Sequence, residues 1–87
     1  MKVTSNGIGI HVEDQGTGDP ALVFLHYWGG SSRTWKHVTA PLAKSYRTIA
    51  IDHRGWGESD APKTGYSLAD NANDTIGVIE ALASADR

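Results

Sequence analysis

From Ile8 to Val12 apolar residues recur at every second position. Val3, Ile8, Ile10 and Val12 flank Asn6-Gly7, a dipeptide that accepts the positive φ angles of a type I′ turn, and the alternation from Ile8 to Val12 predicts a strand with one wet face. Two strands joined by this turn form a leading antiparallel hairpin. After the turn formers Gly16-Thr17-Gly18-Asp19-Pro20 the pattern becomes an unbroken apolar run, Ala21-Leu22-Val23-Phe24-Leu25. A strand covered on both faces needs such a run, so it predicts a central parallel strand.

Helical periodicity follows. Ser31 or Ser32 offers an N-cap, and Trp35, Val38 and Leu42 recur at intervals of three and four, with Pro41 set to kink or divide the helix. Tyr46-Arg47-Thr48-Ile49-Ala50-Ile51 supplies a second apolar strand, and strand, helix, strand at this spacing predicts a parallel βαβ unit. The polar, glycine-rich stretch Asp52 to Asp60 leads to Ser67 and Asp70, the pattern of a capping box. Beyond it Ala69, Ala72, Ile76, Ile79 and Leu82 form a stripe expected to face the sheet, with Asp74 and Glu80 elsewhere on the wheel and Gly77 a mild weakness. The expected class is α/β: a hairpin, a parallel βαβ unit and a further helix.

Composition narrows the function classes. Eight Lys and Arg against ten Asp and Glu give a net charge of -2, dispersed along 87 residues, so nothing draws the chain to nucleic acid or an anionic membrane. A small neutral or apolar substrate fits better. There is no cysteine, which suits a reducing cytoplasm. Neither a signal-peptide pattern nor a run of transmembrane length is present, so a soluble, cytoplasmic protein is expected. At this length the core is small and the stability margin thin.

Two loops carry the candidate chemistry. Leu25-His26-Tyr27-Trp28-Gly29-Gly30 ends the first apolar strand and Asp52-His53-Arg54-Gly55-Trp56-Gly57-Glu58-Ser59 ends the second, the positions where open α/β sheets bind ligands. The first segment resembles the oxyanion loop of the α/β-hydrolase family, and the second resembles that family's D-x-R-G-x-G-x-S loop. Both stand in family order and spacing, and the similarity spans nearly the whole chain, nearest to esterase-, haloperoxidase- and epoxide-hydrolase-like members.

The resemblance implies roles. The backbone N–H of Trp28 would be one of the two donors of an oxyanion hole, with Tyr27 and Trp28 lining the substrate pocket. The second donor belongs to the residue after the nucleophile. Tyr27 stands where the family usually has glycine. His26 matches a structural histidine that braces the loop. Gly29, Asp52, Arg54, Gly55, Gly57 and Ser59 are expected to shape the two loops, with Asp52 and Arg54 joined by a charge-assisted contact.

Other motifs are weaker. Gly57-Glu58-Ser59-Asp60-Ala61 approaches G-x-S-x-G, but a polar loop precedes it and Pro62 and Gly65 follow where the elbow's helix should start, so Ser59 reads as a loop residue. Gly55-x-Gly57 lacks the third glycine of a dinucleotide fingerprint. His11, His26, His37 and His53 are scattered along the sequence without a metal-ligand spacing. No metal and no cofactor are expected.

In the family the triad follows in the order Ser, acid, His, starting on the strand after a helix like that from Ser67. The resemblance therefore implies an incomplete domain over residues 1–87, stopping before the nucleophile elbow. The parent would hydrolyse a small ester, epoxide or similar substrate, and the isolated chain would be inactive. The alternatives are a non-catalytic ligand-binding module and a vestigial product. The first would bind a small apolar ligand saturably; in the second, the strand from Ala21 or that from Tyr46 would be left as an unpaired apolar edge that favours self-association.

Overall fold

Four buried residues, three of them apolar, form the centre of the molecule. In the computed structural model, which describes residues 1–27 and 29–85, strand β4 (Thr48–Ile51) is buried at every position. The remaining strands are β1 (Lys2–Ser5), β2 (Ile8–Gln15) and β3 (Leu22–Leu25), and the sheet runs β1-β2-β4-β3. β1 and β2 are antiparallel, joined by Asn6 and Gly7 at φ 52° and 82°, the expected pair of positive angles. β2 continues past the hairpin and pairs antiparallel with β4, with Val12 opposite Ile51. β3 then pairs parallel with β4, with Leu22 opposite Thr48 and Leu25 opposite Ile51.

The sheet separates two helical layers. Successive residues of a strand point to opposite faces. Ile49 and Ile51 join Ile10 and Val12 in a core closed by Val78 and Leu82 of helix α2 (Leu68–Ala85). Thr48 and Ala50 turn to the other face, where a 3-10 turn (Ser32–Trp35) and helix α1 (Lys36–Leu42) pack. Ser31 caps the turn through a capping box with Thr34, Pro41 lies in the last turn of α1, and Phe24 meets Trp35 with ring centroids 5.4 Å apart.

Three expectations need correction. The Ala21–Leu25 run is parallel as expected, but β3 is the outermost strand of the described sheet and not a central one, because β4 takes the place between β2 and β3. The strand expected from Tyr46 begins at Thr48, with Tyr46 exposed. The buried face of α2 is rotated: Asp74, Val78 and Leu82 are buried, whereas Ile76 and Ile79 are 51% and 40% exposed. Two ties impose that rotation. Ser5 Oγ donates to the Asp74 carbonyl at 2.7 Å, and α2 comes so close to β1 that a Cβ on Gly77 would collide with Ser5. Gly77 is therefore the residue that admits the strand. The capping box at the helix start forms as expected, with Ser67 and Asp70 exchanging hydrogen bonds.

Candidate active site loops

The loops leaving β3 and β4 meet at the C-terminal ends of these two parallel strands. His26, 5% exposed, joins them. Its Nε2 accepts the His53 N–H at 2.9 Å. Since a backbone N–H can only donate, Nε2 carries no proton, and Nδ1–H donates to the Tyr27 carbonyl at 2.8 Å. A neutral imidazole with a fixed tautomer thus links the two loops. The Gly30 N–H returns to the Tyr27 carbonyl at 3.0 Å, Gly29 has φ 87°, and the Tyr27 side chain is 70% exposed. Trp28, the expected oxyanion donor, lies outside the described residues.

Asp52 organises the second loop. Its carboxylate accepts the N–H of Ser32, at the start of the 3-10 turn, and the N–H of Glu58 at 2.9 Å. Its carbonyl accepts Ser59 Oγ–H at 2.6 Å, and the same Oγ accepts the His11 N–H at 2.8 Å. Burial pushes the Asp52 carboxyl up, but the Glu58 and Ser32 donors outweigh it and hold the group below the ordinary carboxylate range. Gly57, at φ 53°, passes directly over this carboxylate, where a Cβ would collide with it. Gly55 packs against the Tyr66 ring in the same manner. Ser59 Oγ is engaged on both sides, which leaves it no role as a nucleophile.

The expected Asp52–Arg54 contact is replaced by a longer one. Arg54 Nε and Nη2 donate to the two oxygens of Asp74 at 2.7 and 2.8 Å, and Nη1 donates to the Gly65 carbonyl at 2.6 Å. Both partners are buried, at 5% and 1% exposure. Asp52 is already filled by backbone donors, so the guanidinium turns to α2, where a buried bidentate partner satisfies it. The sequence signal for Asp74 was indirect: a buried Arg requires a carboxylate, and periodicity alone assigned this one to the wet side.

Beside these loops an apolar cleft of about 450 Å³ runs between the end of β3 and α2, lined by Leu25, His53, Leu68, Asn71, Ala72, Thr75 and Ile76. A second of about 240 Å³ is bordered by His26, Tyr27, His53, Trp56, Leu68 and Asn71. His53 and Asn71 belong to both, and His53 Nδ1 and Asn71 Oδ1 are buried without a hydrogen-bond partner among the described residues. Burial, then the neighbouring His26 ring at 4.6 Å, push His53 below the ordinary histidine value. It is a neutral, polar group beside an apolar cleft. Asn71 and Leu68 were not singled out from sequence, since neither belongs to a motif.

One grouping of metal-ligand types exists among the described residues. His11, Glu13 and Glu58 bring their ligand atoms within 4.8 Å of one another, although their spacing along the chain gives no hint of it. His11 Nε2 is 2.8 Å from Glu13 and 3.4 Å from Glu58, and both glutamates are exposed. It is a cluster of ionisable groups next to the β4 loop, where the Asp52 N–H donates to the His11 carbonyl at 3.0 Å and the Glu58 N–H to the Asp52 carboxylate.

The profile of the α/β hydrolase fold family matches residues 20–83, and the chain belongs to that family. Over 83 residues it is 40% identical to an epoxide hydrolase of Caballeronia sordidicola, covering 92% of this chain and 25% of that protein. The crystal structure of an epoxide hydrolase from Vigna radiata superposes with a TM-score of 0.90 at 32% identity, over 95% of this chain and 28% of the other. An esterase from Exiguobacterium antarcticum gives 0.89 at 37% identity, over 94% and 31%. The chain therefore spans between a quarter and a third of the length of these proteins, and it corresponds to an N-terminal segment of an α/β-hydrolase. No helix among the described residues is long and apolar enough to cross a membrane.

Proposed function

We propose that this chain supplies the oxyanion-loop side of a hydrolase acting on a small ester, epoxide or similarly neutral substrate. The observation that carries the proposal is the His26 bridge. It sets the Tyr27–Gly30 loop against the β4 loop at the strand ends where this fold class binds ligands. In acyl transfer the donor to the developing oxyanion would be the Trp28 backbone N–H, with Tyr27 and Trp28 lining the substrate pocket. Gly29, Asp52, Arg54, Gly55, Gly57 and Ser59 hold the loops in shape and take no part in bond making. The epoxide hydrolase and esterase relatives support the substrate class. The 87 residues alone are expected to be inactive, since Ser59 is committed to the loop and the family's triad order calls for a serine elbow, an acid and a histidine beyond these motifs. Absence of cysteine fits a cytoplasmic location.

A second reading rests on a separate observation. β3 has no strand on its outer side among the described residues, and Val23 and Leu25 are 36% and 43% exposed. Such an edge invites pairing with another copy of the chain.

The deciding experiment is hydrolysis of a p-nitrophenyl ester and of styrene oxide by the natively expressed protein, with its intact mass measured on the same sample. The hydrolase reading expects turnover by a polypeptide heavier than 9.3 kDa. In that protein Trp28→Pro, which removes the N–H, should abolish ester turnover, while Trp28→Ala, which keeps it, should not. Equal loss in both would overturn the backbone-donor role. A 9.3 kDa product that associates and turns over neither substrate would favour the second reading.

A further inference from the structure

The hairpin tip combines a reactive dipeptide with a buried ion pair. Asn6 and Gly7 are both exposed, and nothing lies within 4 Å of where a Gly7 Cβ would stand. Gly7 has no Cβ of its own to crowd its nitrogen as that nitrogen approaches the Asn6 side chain. Asn6 Nδ2 donates to Asp74 Oδ1 at 3.1 Å, and that oxygen also receives Arg54 Nη2 at 2.8 Å. The side-chain amide at the tip thus ties the hairpin to the Asp74 carboxylate, beside the Ser5 Oγ bond to the Asp74 carbonyl.

We propose that Asn6 is a site of spontaneous deamidation whose product carboxylate breaks the hairpin tip's tie to the Asp74 carboxylate and leaves only the Ser5 bond to the Asp74 carbonyl. As the turn opens, the Gly7 nitrogen loses its proton to solvent base and bonds to Asn6 Cγ. The Cγ–Nδ2 bond breaks as Nδ2 takes a proton back from the solvent and leaves as ammonia, and a five-membered succinimide remains. Water then adds to one of its two carbonyls. Opening one way gives aspartate; opening the other gives isoaspartate, in which the main chain runs through the former side chain. Both products exchange an amide donor for a carboxylate beside Asp74. Two carboxylates sharing one place repel, and both compete for Arg54. Isoaspartate also lengthens the backbone of a two-residue turn whose register sets Ser5 opposite Ile8.

The test incubates the natively expressed protein, under folding conditions, in mildly alkaline buffer and maps aspartate and isoaspartate by peptide mass spectrometry and isoaspartyl methylation. Asn71 and Asn73, which precede Ala72 and Asp74 within α2, serve as internal controls. Conversion at Asn6 is expected to run at least about tenfold faster than at either, because only Gly7 lacks a Cβ. Asn6→Asp should melt below Asn6→Gly, which keeps a turn-compatible residue and removes the donor without adding charge. Conversion at Asn6 no faster than at Asn71 and Asn73, or seen only in denaturant, overturns the site. Equal melting of Asn6→Asp and Asn6→Gly overturns the effect on Asp74.

Discussion

β3 and β4 are both strands of four residues, apolar but for Thr48, paired to each other in register. Every residue of β4 is buried and none of β3 is. The difference lies in position. β4 has a partner along each edge and a helical layer on each face, while β3 has one partner among the described residues and an open cleft beside it. Apolar composition tells that a segment seeks cover, and only the topology tells whether the described residues provide it.

The two sides should respond differently to substitution. The largest effect is expected where the loop after β4 is tied to α2. Asp74→Ala strands the buried Arg54 and should cost about 3–5 kcal/mol, comparable to the whole stability of a small domain. Far-UV circular dichroism should then show no cooperative melt. The double change Arg54→Met with Asp74→Leu should restore much of the loss, and failure to do so would mean that the pair's worth lies in geometry beyond charge satisfaction. Next, Ile51→Ala at the buried end of β4 should cost about 2–5 kcal/mol, against less than about 1 kcal/mol for Leu25→Ala directly opposite on β3. Denaturant midpoints measure both, and equal costs would break the comparison of the two strands.

Acid should act on the loop after β4 in two windows. The lowered pKa of His53 means that the folded state resists protonation, so stability is fully present above the unfolded histidine value near 6.5 and is lost as pH falls through the lower folded value. Asp52, also lowered, contributes stability above the unfolded carboxylate value near 3.8 and loses it as pH falls further. His53→Gln should flatten the first limb in a melting-temperature profile and leave the second, while Asp52→Asn should do the reverse. A profile unchanged by either would detach both groups from acid unfolding. The smallest effect on stability belongs to Val23→Lys on the open strand, within about 0.5 kcal/mol. It should nevertheless shift sedimentation toward monomer if the β3 edge is where copies meet.

Local chemistry was legible in the sequence: the Asn6-Gly7 turn, the two apolar runs, the cap at Ser31 and the box at Ser67 and Asp70 each follow from a few neighbouring residues. Long-range satisfaction was not. Periodicity placed Asp74 on the outer side of α2 because it counts polar residues as wet, whereas a guanidinium twenty positions away draws it inside. The two loops of the candidate site were readable as loops, but not their pairing. Nothing in D-x-R-G states that the aspartate is filled by the Ser32 and Glu58 N–H groups, leaving the arginine to look elsewhere. His26 was readable as a brace only through resemblance; its two hydrogen bonds supply the physical reason.

The strand order has a kinetic corollary. β4 inserts between two strands that precede it in the chain, so during synthesis β3 emerges before the strand it pairs with and waits through the whole of α1. Hairpin closure between β1 and β2 is local and fast, whereas joining β2 to β4 must close a loop that already contains β3 and α1. Mutations that slow this insertion would prolong the interval in which β3 is exposed along both edges. Yield and aggregation during expression would then follow the arrival of β4 more closely than the final stability of the folded chain.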